Sequence, residues 1–221
     1  MTVLLFDIDG TLLRAHGVGR RCIEDALEQV VGGRFDTSDI SFSGKTDKQI
    51  FREILTAARE AGFDIGDVDG VHGPFGAAYR DLMHECLPAA RVEALPGAVA
   101  LVQRLASEGV PVGLLTGNIQ PLAYAKVERI GLGPAEFPFG AFGSDAEDRN
   151  ALPAIAVERA GRALGRDVDP ADVVVIGDTP LDIACARAGG CRAVAVATGR
   201  YGADELAEAD EVLTSLEAFR L

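Results

Sequence analysis

The chain has 221 residues, of which 48% are hydrophobic and 25% are charged, and its formal net charge is −13. This length allows one sizeable core and a small accessory domain, and the composition is that of an ordered globular protein. The negative charge argues against nucleic acid or an anionic membrane as a partner, because both require a cationic surface. No apolar stretch approaches the ~20 residues that span a bilayer. The N-terminus lacks the layout of a signal peptide, so we expect a cytoplasmic protein.

The first predicted element is a short apolar strand, residues 3–6, that ends directly in Asp7 and Asp9. Side chains alternate along a strand, so the two carboxylates are predicted to project to the same side. Gly10 permits a tight turn immediately after them. Two carboxylates that face one point repel each other, and a hard divalent cation relieves the repulsion. The pattern therefore favours a cation site over a pair of solvated loop acids.

A block of helices is predicted next, because residues 17–90 contain no convincing strand. Apolar residues recur at helical spacing over Arg21–Val31, Lys48–Ala61 and Phe75–Cys86. Thr46 is a start signal for the second of these helices, and Gly62 is its stop signal. We expect the block to form a separate lid over the carboxyl edge of the sheet. Lys45 precedes the second helix and either reaches toward a substrate anion or points to solvent.

From residue 95 onward, predicted helices and strands alternate regularly. The predicted helices are Ala98–Glu108, Pro121–Ile130, Leu152–Leu164 and Leu181–Ala188. The predicted strands are Val110–Leu115, Phe139–Phe142, Val173–Ile176 and Ala193–Ala197. Such alternation implies an α/β fold, a doubly wound, Rossmann-like parallel sheet with helices on both faces, here with a small all-helical cap inserted after the first strand. The segment 204–211 is predicted to be an acidic helix face.

Two more predicted strands end in polar groups. One is followed by Thr116, Gly117 and Asn118, and another by a segment that contains Asp178 and Asp182. A hydroxyl and a glycine at a strand-to-helix turn suit an anion, because free backbone N–H groups point outward there. Ligands of open α/β sheets bind outside the carboxyl ends of the strands. The three strand ends are therefore predicted to meet at one crevice.

The three motifs, at residues 7–12, 116–118 and 177–182, resemble the haloacid dehalogenase-like (HAD) hydrolase superfamily. Their order and spacing are similar to its phosphatase branch with a helical cap, which includes phosphoglycolate phosphatases and β-phosphoglucomutases. The resemblance covers essentially the whole chain. It implies two domains, a HAD-like α/β core of residues 1–14 and 93–221 and a helical cap of residues 15–92.

The resemblance also implies roles for individual residues. Asp7 would be the nucleophile, and Asp9 would protonate the leaving oxygen and then activate water. An acid at position 9 points to phosphate esters, since a halide leaves without a proton. Thr116 would bind the phosphoryl oxygens, helped by the backbone N–H groups of Gly117 and Asn118.

A magnesium site is implied at the same place. Asp7, Asp178 and the backbone carbonyl of Asp9 would bind Mg²⁺, and Asp182 would act through water or by supporting the other ligands. Gly10 is a further candidate for phosphate binding, as is Lys45 in the lid.

This chain lacks a lysine at the place where the family carries its basic residue. The family carries a lysine near the start of the helix before the last acidic motif, and none of the three lysines of this chain lies there. Arg149, which precedes Asp178 by 29 residues, is the best candidate. Lys126 is a second candidate, although its place on a helix favours an exposed side chain.

The function implied is a Mg²⁺-dependent phosphomonoester hydrolase acting on a small phosphorylated metabolite. A phosphomutase on the same scaffold is an alternative, as is a phosphonate-cleaving enzyme, which needs a Schiff-base lysine such as Lys45 or Lys48. A non-catalytic phospho-acceptor is a third hypothesis, but receiver domains are much shorter and have no helical lid. The sequence leaves the substrate and the oligomeric state open.

Overall fold

A six-stranded parallel sheet forms the centre of the computed structural model, which describes the whole chain, Met1–Leu221. The strands in chain order are β1 (Val3–Phe6), β2 (Leu13–Arg14), β3 (Glu93–Ala94), β4 (Val112–Thr116), β5 (Gly140–Phe142), β6 (Val173–Gly177), β7 (Arg192–Val196) and β8 (Glu211–Leu213). The sheet has the order β5-β4-β1-β6-β7-β8, and all of its pairings are parallel. The apolar strand β1 is fully buried at its centre because it has a neighbour on each edge and helices on each face.

Helices cover both faces of this sheet. In chain order they are α1 (Val18–Val31), α2 (Asp47–Glu60), α3 (Val68–Cys86), α4 (Ala98–Ser107), α5 (Gln120–Glu128), α6 (Leu152–Leu164) and α7 (Pro180–Ala188). Alternate side chains of β1 enter separate cores, with Leu4 and Phe6 on the side of α4 and α5, and Val3 and Leu5 on the side of α6 and α7. The predicted doubly wound α/β fold is therefore confirmed. No helix combines the length and the apolarity that a bilayer crossing requires.

The helical insert lies between β2 and β3, which pair with each other in a short antiparallel ribbon. Two-residue strands carry no periodicity that a sequence can reveal, so this ribbon was not predicted. Within the insert, α3 packs against α1 and α2, and the Phe51 ring lies 4.9 Å from Phe75 and 5.3 Å from Tyr79 between centroids. Helix α2 begins after Thr46, as predicted, because the Thr46 hydroxyl accepts a hydrogen bond from the Gln49 N–H.

Two predicted elements differ from the structure by more than three residues. Helix α3 begins at Val68, well before the predicted start at Phe75, because the Asp67 side chain caps it. The helix continues through Pro74, a residue that usually interrupts a helix at an interior position. The predicted acidic helix over 204–211 is wrong. Only the short 3₁₀ turn Ala203–Leu206 forms there, and Glu211 begins β8, which pairs with the open edge of β7.

Candidate active site

The carboxyl ends of three adjacent strands bring the predicted motifs together. Phe6, the last residue of β1, is paired with Leu114 of β4 on one side and Ile176 of β6 on the other. Asp7 follows β1 directly, and its N–H donates to the Ile176 carbonyl over 2.9 Å, so the chain stays extended as it leaves the strand. Thr116 ends β4 and Asp178 follows β6. The sheet register therefore places all three motifs at one edge.

Three buried carboxylates form the centre of this edge. Oxygens of Asp7, Asp178 and Asp182 all lie within 4.8 Å of one another, and the residues are only 5%, 3% and 2% exposed. Both Asp182 oxygens already accept hydrogen bonds, one from Arg149 and the other from the N–H (3.0 Å) and hydroxyl (2.7 Å) of Thr179. The Thr179 contacts form a capping box at the start of α7. The side chains of Asp178 and Asp7 have fewer polar contacts, one with the Thr11 hydroxyl and one with Arg149 respectively.

Burial and mutual repulsion change the acidity of two of these groups. Burial raises the pKa of Asp178 to about 8, and the charges of Asp182 and Asp7 add to this effect. Burial likewise raises the pKa of Asp7 to about 7; Arg149 opposes the shift, whereas Asp182 and Asp9 reinforce it. The cluster therefore has more negative charge than one guanidinium balances. A bound divalent cation would supply the missing positive charge.

Arg149 is the cation next to the predicted nucleophile. Its Nη2 atom lies 3.3 Å from Oδ1 of Asp7 and contacts Asp182, while Nη1 donates to the Gly44 carbonyl over 3.2 Å. Burial alone would lower the pKa of Arg149, but Asp182 and Asp7 raise it overall, so the guanidinium stays charged. Its Nε atom is buried without a hydrogen-bond partner. An unpartnered donor beside the nucleophile suits an oxygen atom of a bound ligand.

Asp9 is held by a second cation, Lys126, which the sequence favoured as an exposed residue. That expectation is wrong, because Lys126 is only 4% exposed. Its Nζ atom lies 2.7 Å from Oδ2 of Asp9 and 2.6 Å from Oδ1 of Asn118. Asn118 donates in turn to the same Asp9 oxygen over 2.8 Å and to the Thr116 hydroxyl over 2.9 Å. The Asp9 side chain remains 42% exposed.

The segment 116–118 has the polar groups that the phosphate hypothesis needs. Thr116 is fully buried, and its Oγ1 atom accepts hydrogen bonds from the Asn118 side chain and backbone. Its hydroxyl hydrogen has no acceptor among the protein groups. Gly117 serves a further purpose, since a Cβ atom there would lie 2.0 Å from the Lys45 carbonyl oxygen. Only glycine allows the cap to approach this turn so closely.

Asp178 is surrounded by Gly10, which the sequence indicates as a candidate for phosphate binding, and by residues for which it predicts no role at the site. The Thr11 hydroxyl lies 3.3 Å from Oδ1 of Asp178. Gly10, at a φ of 93°, and Gly199 both approach so closely that an added Cβ atom would meet an Asp178 oxygen, at 2.3 Å and 1.6 Å respectively. The Thr198 hydroxyl donates to the Gly10 carbonyl over 2.7 Å. The segment 198–201, which follows β7, therefore packs against this carboxylate, and β8 forms the edge of the sheet.

The cap contacts the core through the turn before α2. The Asp47 N–H donates to the Gly117 carbonyl over 2.8 Å, and its carboxylate accepts from the Ile119 N–H over 2.9 Å. Burial raises the pKa of Asp47 to about 6, although the charge of Lys126 opposes this shift. Lys45 lies in the same turn, and its Nζ atom is 2.5 Å from a Glu53 oxygen. No sequence signal distinguished Asp47 from an ordinary residue of a helical first turn.

A cavity of about 890 Å³ separates the cap from the strand ends. Its core side includes every predicted site residue of the core domain except Asp182: Asp7, Asp9, Gly10, Thr116, Gly117, Asn118, Lys126, Arg149 and Asp178. Its cap side includes Arg20, Lys45, Asp47 and Tyr79, together with the serine-containing segment 38–44. Asp182 lies behind Asp178 and Arg149. The arrangement can hold a small anionic molecule beside Asp7.

Comparison with known proteins agrees with this geometry. The family model of haloacid dehalogenase-like hydrolases matches residues 4–187. Over 219 residues the chain is 30% identical to a validoxylamine A 7'-phosphate phosphatase of Streptomyces hygroscopicus, and the match covers 99% of this chain and 95% of that protein. It is 28% identical to a phosphoglycolate phosphatase of Cereibacter sphaeroides over 87% of this chain and 83% of that one.

Solved structures share the fold at lower identity. The phosphate complex of CbbY from Rhodobacter sphaeroides superposes with a TM-score of 0.76 at 22% identity, covering 99% of this chain and 96% of that chain. A β-phosphoglucomutase from Clostridium difficile superposes with a TM-score of 0.72 at 19% identity, and the match covers 100% of this chain and 94% of that chain. The family model and the phosphatase relatives confirm the predicted enzyme class, a hydrolase of the phosphatase branch. The chain belongs to the haloacid dehalogenase-like hydrolase family.

Proposed function

We propose that this protein is a Mg²⁺-dependent phosphomonoesterase that hydrolyses a small phosphorylated metabolite through an aspartyl-phosphate on Asp7. The observation that carries the proposal is the convergence of Asp7, Asp178 and Asp182 beside Arg149, at the floor of a cavity that Asp9 and Thr116 also line. Phosphoryl transfer needs a positioned nucleophile, neutralised phosphoryl oxygens and a proton for the leaving group. Each of these requirements has a candidate residue here.

In the first step, an oxygen of the Asp7 carboxylate attacks phosphorus as the bond to the leaving oxygen breaks. Asp9 gives its proton to that leaving oxygen, so the product departs as an alcohol. The Thr116 hydroxyl donates to a phosphoryl oxygen, and the unpartnered Nε–H of Arg149 is available to another. The guanidinium also holds Asp7 by one oxygen, so its second oxygen remains free to attack.

In the second step, water attacks the phosphorus of the aspartyl-phosphate and gives a proton to the Asp9 carboxylate. The P–O bond to Asp7 breaks, inorganic phosphate leaves, and both acids return to their starting states. The cap contacts the core at residues 117–119, and we expect these contacts to influence how readily water reaches the aspartyl-phosphate.

The residues present fit a magnesium ion. Asp7 and Asp178 are buried carboxylates with raised pKa values, as expected for groups that lack a compensating cation. They would bind the ion with the backbone carbonyl of Asp9, and Asp182 would support them through Arg149 and Thr179. When bound, Mg²⁺ neutralises charge on the phosphoryl oxygens and lowers the pKa of the nucleophile.

We place the two domains at residues 1–14 with 93–221 for the core and 15–92 for the cap. The ribbon of β2 and β3, where the insert leaves and rejoins the core, supports these bounds. The names of the relatives, phosphatases of phosphoglycolate and of validoxylamine A 7'-phosphate, support a small phosphorylated substrate. A rate screen against phosphoglycolate, sugar phosphates and nucleotides would identify it.

The test of the proposed function is turnover of p-nitrophenyl phosphate with and without Mg²⁺, compared with Asp7→Asn. We expect the variant to lose nearly all activity and chelation to abolish turnover by the wild-type protein. Equal rates for the variant and the wild-type protein would refute the assignment.

A phosphomutase outcome remains an alternative, because the same acids serve both reactions and the cap decides whether water enters. Phosphonate cleavage has less support. Its Schiff base requires a free amine, but Lys45 is paired with Glu53, and Lys48 donates to the Ser144 carbonyl over 2.7 Å.

A further inference from the structure

Lys126 occupies a position that the pattern of its helix assigns to the core. The inward face of α5 consists of Leu122, Ala123, Lys126 and Val127, so a cation replaces an apolar side chain in the stripe. Lysine is almost never fully buried unless it is paired, because moving its charge out of water is costly. A compensating function in the interior is therefore expected.

The contacts of Lys126 converge on one oxygen of Asp9. Nζ of Lys126 and Nδ2 of Asn118 lie 2.7 Å and 2.8 Å from Oδ2 of Asp9, and Nζ also bonds Oδ1 of Asn118 over 2.6 Å. These three bonds close a triangle of side chains that fixes the rotamer of the carboxylate. Oδ1 of Asp9 has no protein partner, and the side chain is 42% exposed. The carboxylate is thus held by one oxygen and open at the other.

We propose that Lys126 is a positioning residue that, with Asn118, anchors Oδ2 of Asp9 so that Oδ1 faces the leaving oxygen of the substrate. The inference rests on the proposed function and deepens it, because it assigns a second cation whose partner is the acid and not the nucleophile. Arg149 holds Asp7 and Lys126 holds Asp9, so each catalytic carboxylate has its own cation. Misplacing a reacting group by about 1 Å costs on the order of 100-fold in rate.

The test compares p-nitrophenyl phosphate with phenyl phosphate. The two substrates have nearly the same shape, but p-nitrophenolate leaves readily without a proton and phenolate does not. The value of kcat/KM is used because it includes only the steps up to loss of the leaving group. Asp9→Asn provides the reference, since a missing general acid should slow phenyl phosphate far more than p-nitrophenyl phosphate.

For Lys126→Met we expect kcat/KM to fall ~10- to 100-fold on phenyl phosphate and less than about threefold on p-nitrophenyl phosphate. In the Asp9→Asn background the same change should add almost nothing, because the two residues act as one unit. The control is Lys48→Met, because Lys48 contacts the Ser144 carbonyl and not Asp9. It should leave the ratio of the kcat/KM values for the two substrates unchanged.

Equal losses on both substrates would overturn the inference, since a merely structural lysine affects them alike. That result, together with an inactive Asp7→Asn, would leave the proposed function intact. An Asp9→Asn that does not discriminate would overturn the inference and the role of Asp9, whereas an active Asp7→Asn would overturn the proposed function as well. If Lys126→Met does not fold, Asn118→Ala removes the other anchor of Oδ2 and must shift the ratio in the same direction.

Discussion

The Nη2 atom of Arg149 lies 3.3 Å from Oδ1 of Asp7, and the same guanidinium reaches Asp182 and the cap carbonyl of Gly44. A lysine ammonium is a single point charge, whereas the planar guanidinium presents donors in several fixed directions. One side chain therefore links the predicted nucleophile, the start of α7 and the cap.

Replacing Arg149 by methionine should lower both activity and stability. Turnover of p-nitrophenyl phosphate should fall at least ~100-fold, the usual effect of losing a donor at the reacting group. At pH 8 without metal, the free energy of unfolding should fall by roughly 3–5 kcal/mol, because a buried charge loses its partner. Arg162→Met, which breaks an exposed pair with Glu158, should cost less than about 1 kcal/mol. Chemical denaturation of both variants checks this, and equal costs would contradict it.

The metal-free protein should become less stable as the pH rises from about 4 to about 8. Asp7 and Asp178 have pKa values near 7 and 8 in the folded protein and an ordinary value of 3.8. The folded state therefore binds more protons than the unfolded chain in this window, and stability falls as the pH passes through it. Mg²⁺ should reverse the loss, so its effect on Tm should be larger at pH 8 than at pH 5.5. A Mg²⁺ effect independent of pH would contradict the prediction.

Replacing Asp178 by asparagine should change stability in opposite directions with and without metal. Without metal at pH 8, the variant loses the repulsion from Asp7 and Asp182, so its Tm should rise above that of the wild-type protein. With Mg²⁺, the stabilisation seen in the wild-type protein should disappear. Asp81→Asn, at an exposed side chain, should keep the full Mg²⁺ response. Thermal melting across a Mg²⁺ titration decides this, and a retained response in Asp178→Asn would remove that residue from the site.

Adding a methyl group at Gly117 should displace the cap from the core. The new Cβ atom would lie 2.0 Å from the Lys45 carbonyl oxygen, which is a backbone atom with little freedom to move. We expect faster amide exchange over residues 44–48 and a kcat/KM lowered by an order of magnitude or more, since closure assembles the cavity. Gly70→Ala, in the first turn of α3, where the added methyl would lie at an ordinary 3.6 Å from an Asp67 oxygen, should leave both unchanged and stabilise the helix slightly. Unaltered exchange in Gly117→Ala would contradict the closed geometry.

Lys126 shows where local patterns mislead. Considered alone, a lysine on a helix is exposed, and only its place beside Leu122, Ala123 and Val127 marks it as part of the inward face. Its partners Asp9 and Asn118 lie 117 and 8 residues away along the chain, so no local signal connects all three.

Thr179 was missed for a different reason. The pattern Thr179-x-x-Asp182 is a capping box that a sequence can reveal, but it was interpreted only through its acid.

The order of apolar runs and the polar residues that end them were sufficient to predict the parallel sheet, the helical insert and the shared edge of Asp7, Thr116 and Asp178. These features follow from local periodicity and from the rule that parallel strands end on the same side. The pairing of each cation with its carboxylate, the role of Gly117 in admitting the cap, and the burial of Asp47 were decided only by the tertiary structure. Such contacts join segments that are distant in the chain, and their energies depend on distances and burial that no local pattern encodes.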